Sequence, residues 1–124
     1  MPDSAYLGEA QYHWIMQCQG CHGAEGQGAS DRVPKLAGNV SRYLALEAGR
    51  AYLGRVPGVA FAALSDADLA VLLNWVVQRF DRGHVPATFT PYSAEEIRAL
   101  RHDPLISNAY EERRTLLRAL SGRP

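Results

Sequence analysis

The only two cysteines of this 124-residue chain lie three positions apart, in the stretch CQGCH (residues 18–22). A histidine, His22, follows the second cysteine directly. This spacing has three chemical interpretations: a redox-active dithiol, part of a zinc site, or covalent attachment of haem. The remainder of the sequence has to decide among them.

Two of these interpretations fit the surroundings of the motif poorly. A thioredoxin-like dithiol stands at the start of a helix that follows a strand, whereas here a helical pattern precedes Cys18 and a glycine-rich loop follows His22. A structural zinc site needs four protein ligands, and Cys18, Cys21 and His22 supply three at most. Haem attachment uses all three residues, because the two thiols reach the vinyl groups and the adjacent imidazole binds iron.

Composition indicates one ordinary globular domain. The chain is 47% hydrophobic and 21% charged, and its 13 basic and 13 acidic residues give a formal net charge of zero. Its length suffices to bury a real core. The charge balance argues against a nucleic-acid-binding surface, no apolar run has the length of a membrane span, and two cysteines are too few for a disulfide scaffold.

Helical periodicity dominates the first half of the chain. A helix is predicted over 4–17, with an apolar stripe of four residues: Leu7, Ala10, Trp14 and Ile15. The glycine-rich segment over 20–38 is predicted to be a loop, since it lacks periodicity and contains Pro34. A second helix is predicted from Asn39, with breaks at Gly49 and Gly54.

Helices also account for the second half, so the predicted fold class is all-α. The strongest pattern covers 65–80, opens with the capping pair Ser65 and Asp68, and carries one apolar stripe. A short helix opens at Ser93 with Glu96, and a last helix is predicted over about 107–120. Five residues are expected to pack this C-terminal part onto the core: Leu100, Leu105, Ile106, Tyr110 and Leu117.

From about Leu7 to Phe80 the chain resembles a class I cytochrome c, and three stretches in the family's order carry the resemblance. Ala10 and Trp14 stand eight and four positions before Cys18, where the family has a small residue and an aromatic. PKLAG (34–38) matches the family's P-x-L-x-G, and LSDADLAVLLNWVV (64–77) is similar to the start of its last helix.

The resemblance implies a cytochrome c-like helical core over residues 1–80, built around one covalently bound haem c. Residues 81–124 form a C-terminal helical extension packed on the same domain. The implied site consists of the thioether-forming Cys18 and Cys21, the proximal ligand His22, Pro34, whose backbone carbonyl orients His22, and the haem-packing residues Trp14, Leu36 and Trp75.

One departure from the family concerns the distal side of the iron. A typical member has a methionine there, whereas this chain has Val56, within RVPGV. The sequence leaves the distal position either vacant next to Val56 or filled by another side chain, with His84 the first candidate. His102, Lys35 and Tyr52 are weaker candidates, His13 lies on the wrong side, and Met16 is expected in the core.

The resemblance implies electron transfer between redox partner proteins through ferric and ferrous haem iron, without enzymatic chemistry. The alternative is a haem protein with an open distal site for carbon monoxide, nitric oxide or peroxide, acting as a sensor or a weak peroxidase. A peroxidase needs a distal acid–base pair, and Arg55 has no convincing base beside it.

The resemblance also implies a place of action. We expect a periplasmic or otherwise exported bacterial protein, whose signal peptide is absent from this sequence. The extension is expected to cover the haem edge, to support a homodimer or to dock a redox partner.

Overall fold

The computed structural model describes residues 4–29 and 33–121, with side chains from residue 8 onward. This part of the chain folds into helices and loops without a β-strand, so the all-α prediction is confirmed. The α-helices are α1 (Ser4–Gln17), α2 (Gln19–His22), α3 (Glu47–Arg55), α4 (Pro57–Ala60), α5 (Asp66–Asp81), α6 (Ala94–Arg101) and α7 (Ala109–Ser121). Two 3₁₀-helices cover Val40–Ala45 and Arg82–His84.

Helix α5 forms the centre of the fold. Its N-cap is Ser65, whose side chain accepts a hydrogen bond from the Asp68 backbone N–H at 3.1 Å, as the capping pair predicts. Six residues of its apolar stripe are buried: Leu69, Leu72, Leu73, Val76, Val77 and Phe80. Each contributes about 1.5–3 kcal/mol of burial free energy. The neighbouring elements therefore pack around this helix.

Helix α1 crosses α5 and buries a narrower face than the sequence suggested. Ala10 and Trp14 are 0% and 2% exposed, but Ile15 and Met16 are 48% and 60% exposed. The placement of Ile15 in the stripe and of Met16 in the core was therefore wrong, and Leu7 lies outside the described side chains. The reason is geometric: each residue turns the helix by about 100°, so the face that meets α5 at Trp14 turns Ile15 to solvent.

The predicted second helix is divided at Leu46 instead of at its glycines. Leu46 is extended, with φ −121° and ψ 141°, and separates the first 3₁₀-helix from α3. Gly49 lies inside α3, close to the backbone of Tyr43. A Cβ at this position would overlap the Tyr43 backbone oxygen. The glycine thus permits close packing of two helical segments, and the break falls at the extended residue between them.

The extension packs on α3, α5 and the first 3₁₀-helix. Its buried apolar residues are Tyr92, Ile97, Leu105, Leu116 and Leu120, whereas Ile106, Tyr110 and Leu117 are exposed. Of the five packing residues expected from sequence, only Leu100 and Leu105 contact the core cluster. The face of α7 that carries Leu116 and Leu120 meets the core, and the helix turns Leu117 to the edge of that face.

Arg101 fastens the extension to the segment that precedes α5. Its guanidinium donates to the backbone oxygens of Ala60, Ala62 and Leu64 at 3.1, 2.8 and 2.8 Å, and to Asp66 Oδ1 at 3.1 Å. One side chain thereby satisfies three carbonyls of a loop that has few regular hydrogen bonds. Among the described helices, none is long and apolar enough to cross a membrane.

Replacing Arg101 by glutamine should destabilise the holoprotein by about 2–3 kcal/mol, because charge-assisted bonds to three carbonyls are lost. The matched control is Arg98→Gln on the same helix, where the side chain is exposed and forms no ion pair within the described residues. We expect that control to change the free energy of unfolding by less than about 0.5 kcal/mol. Equal losses in denaturant unfolding of the two variants would contradict this role.

Candidate functional site

The CQGCH stretch consists of Cys18, which joins α1 to α2, and of the single-turn helix α2 (Gln19–His22). The Cys18 N–H donates to the Trp14 oxygen at 2.9 Å, and the His22 N–H donates to the Cys18 oxygen at 3.0 Å. The two cysteines are not joined in a disulfide; Cys18 is half-buried and Cys21 is exposed. The turn therefore presents two thiols and one imidazole from five consecutive residues at the C-terminal end of α1.

A hydrogen bond to the PKLAG segment fixes the imidazole of His22. Its Nδ1 lies 3.1 Å from the backbone oxygen of Pro34. Because a carbonyl oxygen only accepts, Nδ1 carries the proton and Nε2 keeps its lone pair. Burial lowers the pKa of His22, the Pro34 bond opposing that shift in part. The side chain is thus a neutral imidazole with Nε2 available to a metal.

The loop after His22 holds Pro34 in place through backbone bonds. The Gly28 N–H donates to the His22 oxygen at 2.8 Å, and the Leu36 N–H donates to the Gly26 oxygen at 2.8 Å. At the far end, the Gly38 N–H donates to the Phe80 oxygen at 2.9 Å. The position of the Pro34 carbonyl is thus defined relative to both His22 and the end of α5.

An aromatic cluster backs the site. The Trp14 ring lies 6.2 Å from the His22 ring, 6.1 Å from Trp75 and 4.6 Å from Phe80, between centroids. Sequence reasoning missed Phe80 as a residue of this site, although its place at the end of the α5 stripe was visible. Leu36 is half-buried against the same core. The cluster couples the orientation of His22 to the α1–α5 crossing.

The thiols are not set up as a redox pair or a zinc site. Burial raises the pKa of Cys18 to about 11, with a smaller contribution from Cys21, whereas reactive dithiols have a lowered thiol pKa. Among the described residues, one group of three His, Cys, Asp or Glu donors lies within 4.8 Å of one another: Glu9, His13 and Asp68. The donors of the CQGCH motif do not converge in this way.

The distal candidates lie in different parts of the fold. Val56 joins α3 to α4 and is half-buried against the core. His84 lies beyond the end of α5, is 51% exposed, and has Nδ1 2.8 Å from Asp81 Oδ1. His102 donates from Nδ1 to the Arg98 oxygen on the surface, and burial raises the pKa of Tyr52 to about 12. Lys35 is exposed.

Comparison with known proteins decides among the interpretations. The family model for cytochrome c matches residues 7–55. Two cytochromes c-552 of Thermus thermophilus are each 36% identical over 103 residues. The alignments cover 68% of this chain and 79% and 70% of those proteins. No solved structure matches. This chain belongs to the cytochrome c family.

The cytochrome carries one covalently attached haem c with its iron, and it transfers electrons. The residues of the CQGCH turn fit this group, because two thiols and a neutral imidazole with a free Nε2 leave one turn together. A further observation agrees: Trp14 Nε1 is buried and has no hydrogen-bond partner in the described structure. Such orphaned donors are rare in complete native proteins, and they are expected beside a cofactor site.

Gly28→Ala should disturb the support of His22. Gly28 has φ +73°, and a Cβ there would lie 2.7 Å from the Lys35 nitrogen and the Val33 oxygen, which flank Pro34. Gly38 has φ +75° but open space around it, so Gly38→Ala is the matched control. Both variants incur about 1–2 kcal/mol for the left-handed backbone.

In Gly28→Ala the clash should lower the free energy of unfolding by about a further 1–3 kcal/mol. Gly38→Ala should lack this additional loss. Denaturant unfolding of the two holoproteins measures that difference. Equal destabilisation of both variants would show that the 33–35 segment moves freely, and that His22 is not held by the packing described here.

Proposed function

We propose that Cys18 and Cys21 hold the haem of this electron carrier as two thioethers, and that His22 binds its iron through Nε2. In each attachment the thiol adds across a vinyl group: a carbon–sulfur bond forms and the thiol hydrogen goes to the other vinyl carbon. The observation that carries the proposal is the bond from His22 Nδ1 to the Pro34 oxygen at 3.1 Å. That bond leaves Nε2 as the only free nitrogen of the ring.

Pro34 is proposed as the group that orients the proximal ligand, and Trp14, Leu36 and Trp75 as its apolar surroundings. A carbonyl bonded to Nδ1–H fixes the ring orientation and raises the basicity of the ligating nitrogen. Trp14 lies in contact distance of both His22 and Trp75, and it is 2% exposed. Excluding water on this side lets burial, together with the axial ligand, set the potential of the iron.

The attachment is tested with Cys18→Ser, Cys21→Ser and the double variant, each produced with a bacterial haem-attachment system. The wild-type polypeptide should keep its haem stain in denaturing electrophoresis. Each single variant should keep one bond at reduced yield, with the absorption maximum of the reduced haem shifted to longer wavelength by the remaining vinyl group. The double variant should lose all covalent haem. Retention of covalent haem by the double variant would overturn the assignment.

For the distal side we propose that His84 does not ligate the iron and that an aliphatic segment around Val56 faces it. Asp81, which is 4% exposed, holds the His84 imidazole and also accepts from the Ser41 N–H at 3.0 Å. The Phe80–Gly38 bond brings this end of α5 next to the loop that carries Pro34. A ligand opposite His22 has to come from the other side of the haem.

His84→Ala should therefore leave the ferric and ferrous spectra unchanged, and the ferrous protein should bind carbon monoxide with or without the histidine. Optical and electron paramagnetic resonance spectra of both proteins measure this. His102→Ala is the matched control at an exposed histidine of the extension. Conversion from low spin to high spin in His84→Ala alone would make His84 the sixth ligand.

The carrier role is favoured over an enzymatic one. Arg55, the residue considered for a peroxidase pair, donates from Nε to the Asp103 oxygen at 2.6 Å and pairs with its carboxylate at 3.2 Å. Its guanidinium is thereby directed towards the extension. We propose further that the cytochrome acts outside the bacterial cytoplasm and exchanges electrons with partner proteins. A homodimer through the extension stays a prediction.

A further inference from the structure

Arg113 on α7 is largely buried. The residue is 9% exposed, and its Nε is enclosed with no hydrogen-bond partner among the described residues. Within residues 4–29 and 33–121 it forms no ion pair, whereas four other arginines each pair with a carboxylate: Arg50, Arg55, Arg79 and Arg101. An enclosed N–H group without an acceptor is unfavourable, so the position beside Nε is suited to a group that accepts hydrogen bonds.

Two phenol side chains lie beside this guanidinium. Helix α7 packs on the first 3₁₀-helix and on α3, which carry Tyr43 and Tyr52. Their rings are 5.1 Å apart, and both residues are less than one-tenth exposed. The charge of Arg113 opposes the burial that raises the pKa of both phenols, which places it within electrostatic range of each. Phenol and guanidinium groups are both hydrogen-bond donors.

We propose that Arg113, together with Tyr43 and Tyr52, binds a carboxylate, and that this carboxylate is a propionate of the haem. The inference rests on the proposed haem attachment. Haem c carries two propionates on the edge opposite its vinyl groups, so anchoring at Cys18 and Cys21 turns both carboxylates away from the CQGCH turn. The extension then supplies a charge to the cofactor in addition to packing on the core.

The chemistry of the site favours a carboxylate over a neutral ligand. An arginine fork binds carboxylates with two parallel hydrogen bonds, and a phenol O–H adds a third. Glu112, the neighbouring residue on α7, raises the pKa of Tyr52 but forms no ion pair with Arg113 in the described structure. The described residues therefore leave this acceptor position to another group, which we assign to the cofactor.

The test compares Arg113→Gln with Arg114→Gln. Arg114 is exposed on the same helix, and its guanidinium carbon lies 5.8 Å from the Tyr110 ring, against 5.2 Å for Arg113. The control thus removes an equal charge and a similar ring contact. Reduction potentials of the holoproteins are measured across about pH 5 to 9, where a carboxyl with a raised pKa titrates.

Arg113→Gln should lower the potential, since loss of a nearby positive charge favours the ferric form. A propionate without its partner should also have a raised pKa, so the potential of this variant should fall as the pH increases through that value. Wild type and Arg114→Gln should lack this fall. The other charged or titratable groups near Arg113 are Arg42, Tyr43, Tyr52, Tyr110, Glu112 and Arg114. Except for the substituted Arg114 of the control, all are common to the three proteins.

A second measurement distinguishes a haem propionate from a carboxylate of the solvent. The melting temperature of each holoprotein is compared in acetate and in chloride at equal ionic strength. If acetate stabilises wild type and Arg114→Gln but not Arg113→Gln, with unchanged potentials, the site takes a carboxylate from solution. Equal potentials, equal pH profiles and no specific acetate effect would overturn the proposal.

Two further controls distinguish a failure of the proposed role of Arg113 from a failure of the proposed haem attachment. Arg113→Lys keeps the charge but not the fork, so it should give an intermediate potential, and it replaces Arg113→Gln if that variant does not fold. Haem stain in denaturing electrophoresis is recorded for every protein. Loss of covalent haem from wild type would overturn the proposed attachment, whereas retained haem without any Arg113-specific shift would overturn only the role of Arg113.

Discussion

The hydrogen bond between His22 and Pro34 is the constraint on which the rest of the structure depends. It joins residues twelve apart in sequence across a glycine-rich loop, and its donor and acceptor have to be positioned independently. His22 is fixed by the turn at the end of α1, and the segment that carries Pro34 is fixed by backbone bonds from Leu36 to Gly26 and from Gly38 to Phe80. A change in the α1–α5 crossing would therefore move both partners of the bond.

Helix α5 transmits this constraint from the core to the site. Its buried stripe meets Trp14, and its last turn supplies the Phe80 oxygen that receives the Gly38 N–H. The next residue, Asp81, is buried. Its carboxylate accepts a hydrogen bond from the Ser41 N–H and pairs with His84. The same helical end thus anchors the PKLAG segment, the first 3₁₀-helix and the start of the extension, which explains why the site needs no disulfide to stay ordered.

Local signals in the sequence predicted most of the site and much of the fold. The CQGCH spacing, the Ser65 and Ser93 caps and the α5 stripe depend on residues within one or two turns, and the structure has both caps and the buried stripe. The break at Leu46 and the exposure of Met16 depend on which segments pack against these residues in the fold, and no local sequence pattern carries that information. The burial of Arg113 was missed for the same reason, since a charged residue on a polar helix is typical of a solvent-exposed face.

Two arginines of the extension, the half-buried Arg101 and the buried Arg113, have different roles. Arg101 has acceptors for its charge in three carbonyls and Asp66, and its role is satisfied within the chain. Arg113 is 9% exposed, and its Nε has no such acceptor among the described residues. If burial of the apolar face of α7 were the only requirement, an aliphatic residue at 113 would be more favourable, because replacing a buried charge by a well-packed apolar group is often stabilising. The proposed propionate would accept the N–H that the described residues leave unpaired at Arg113.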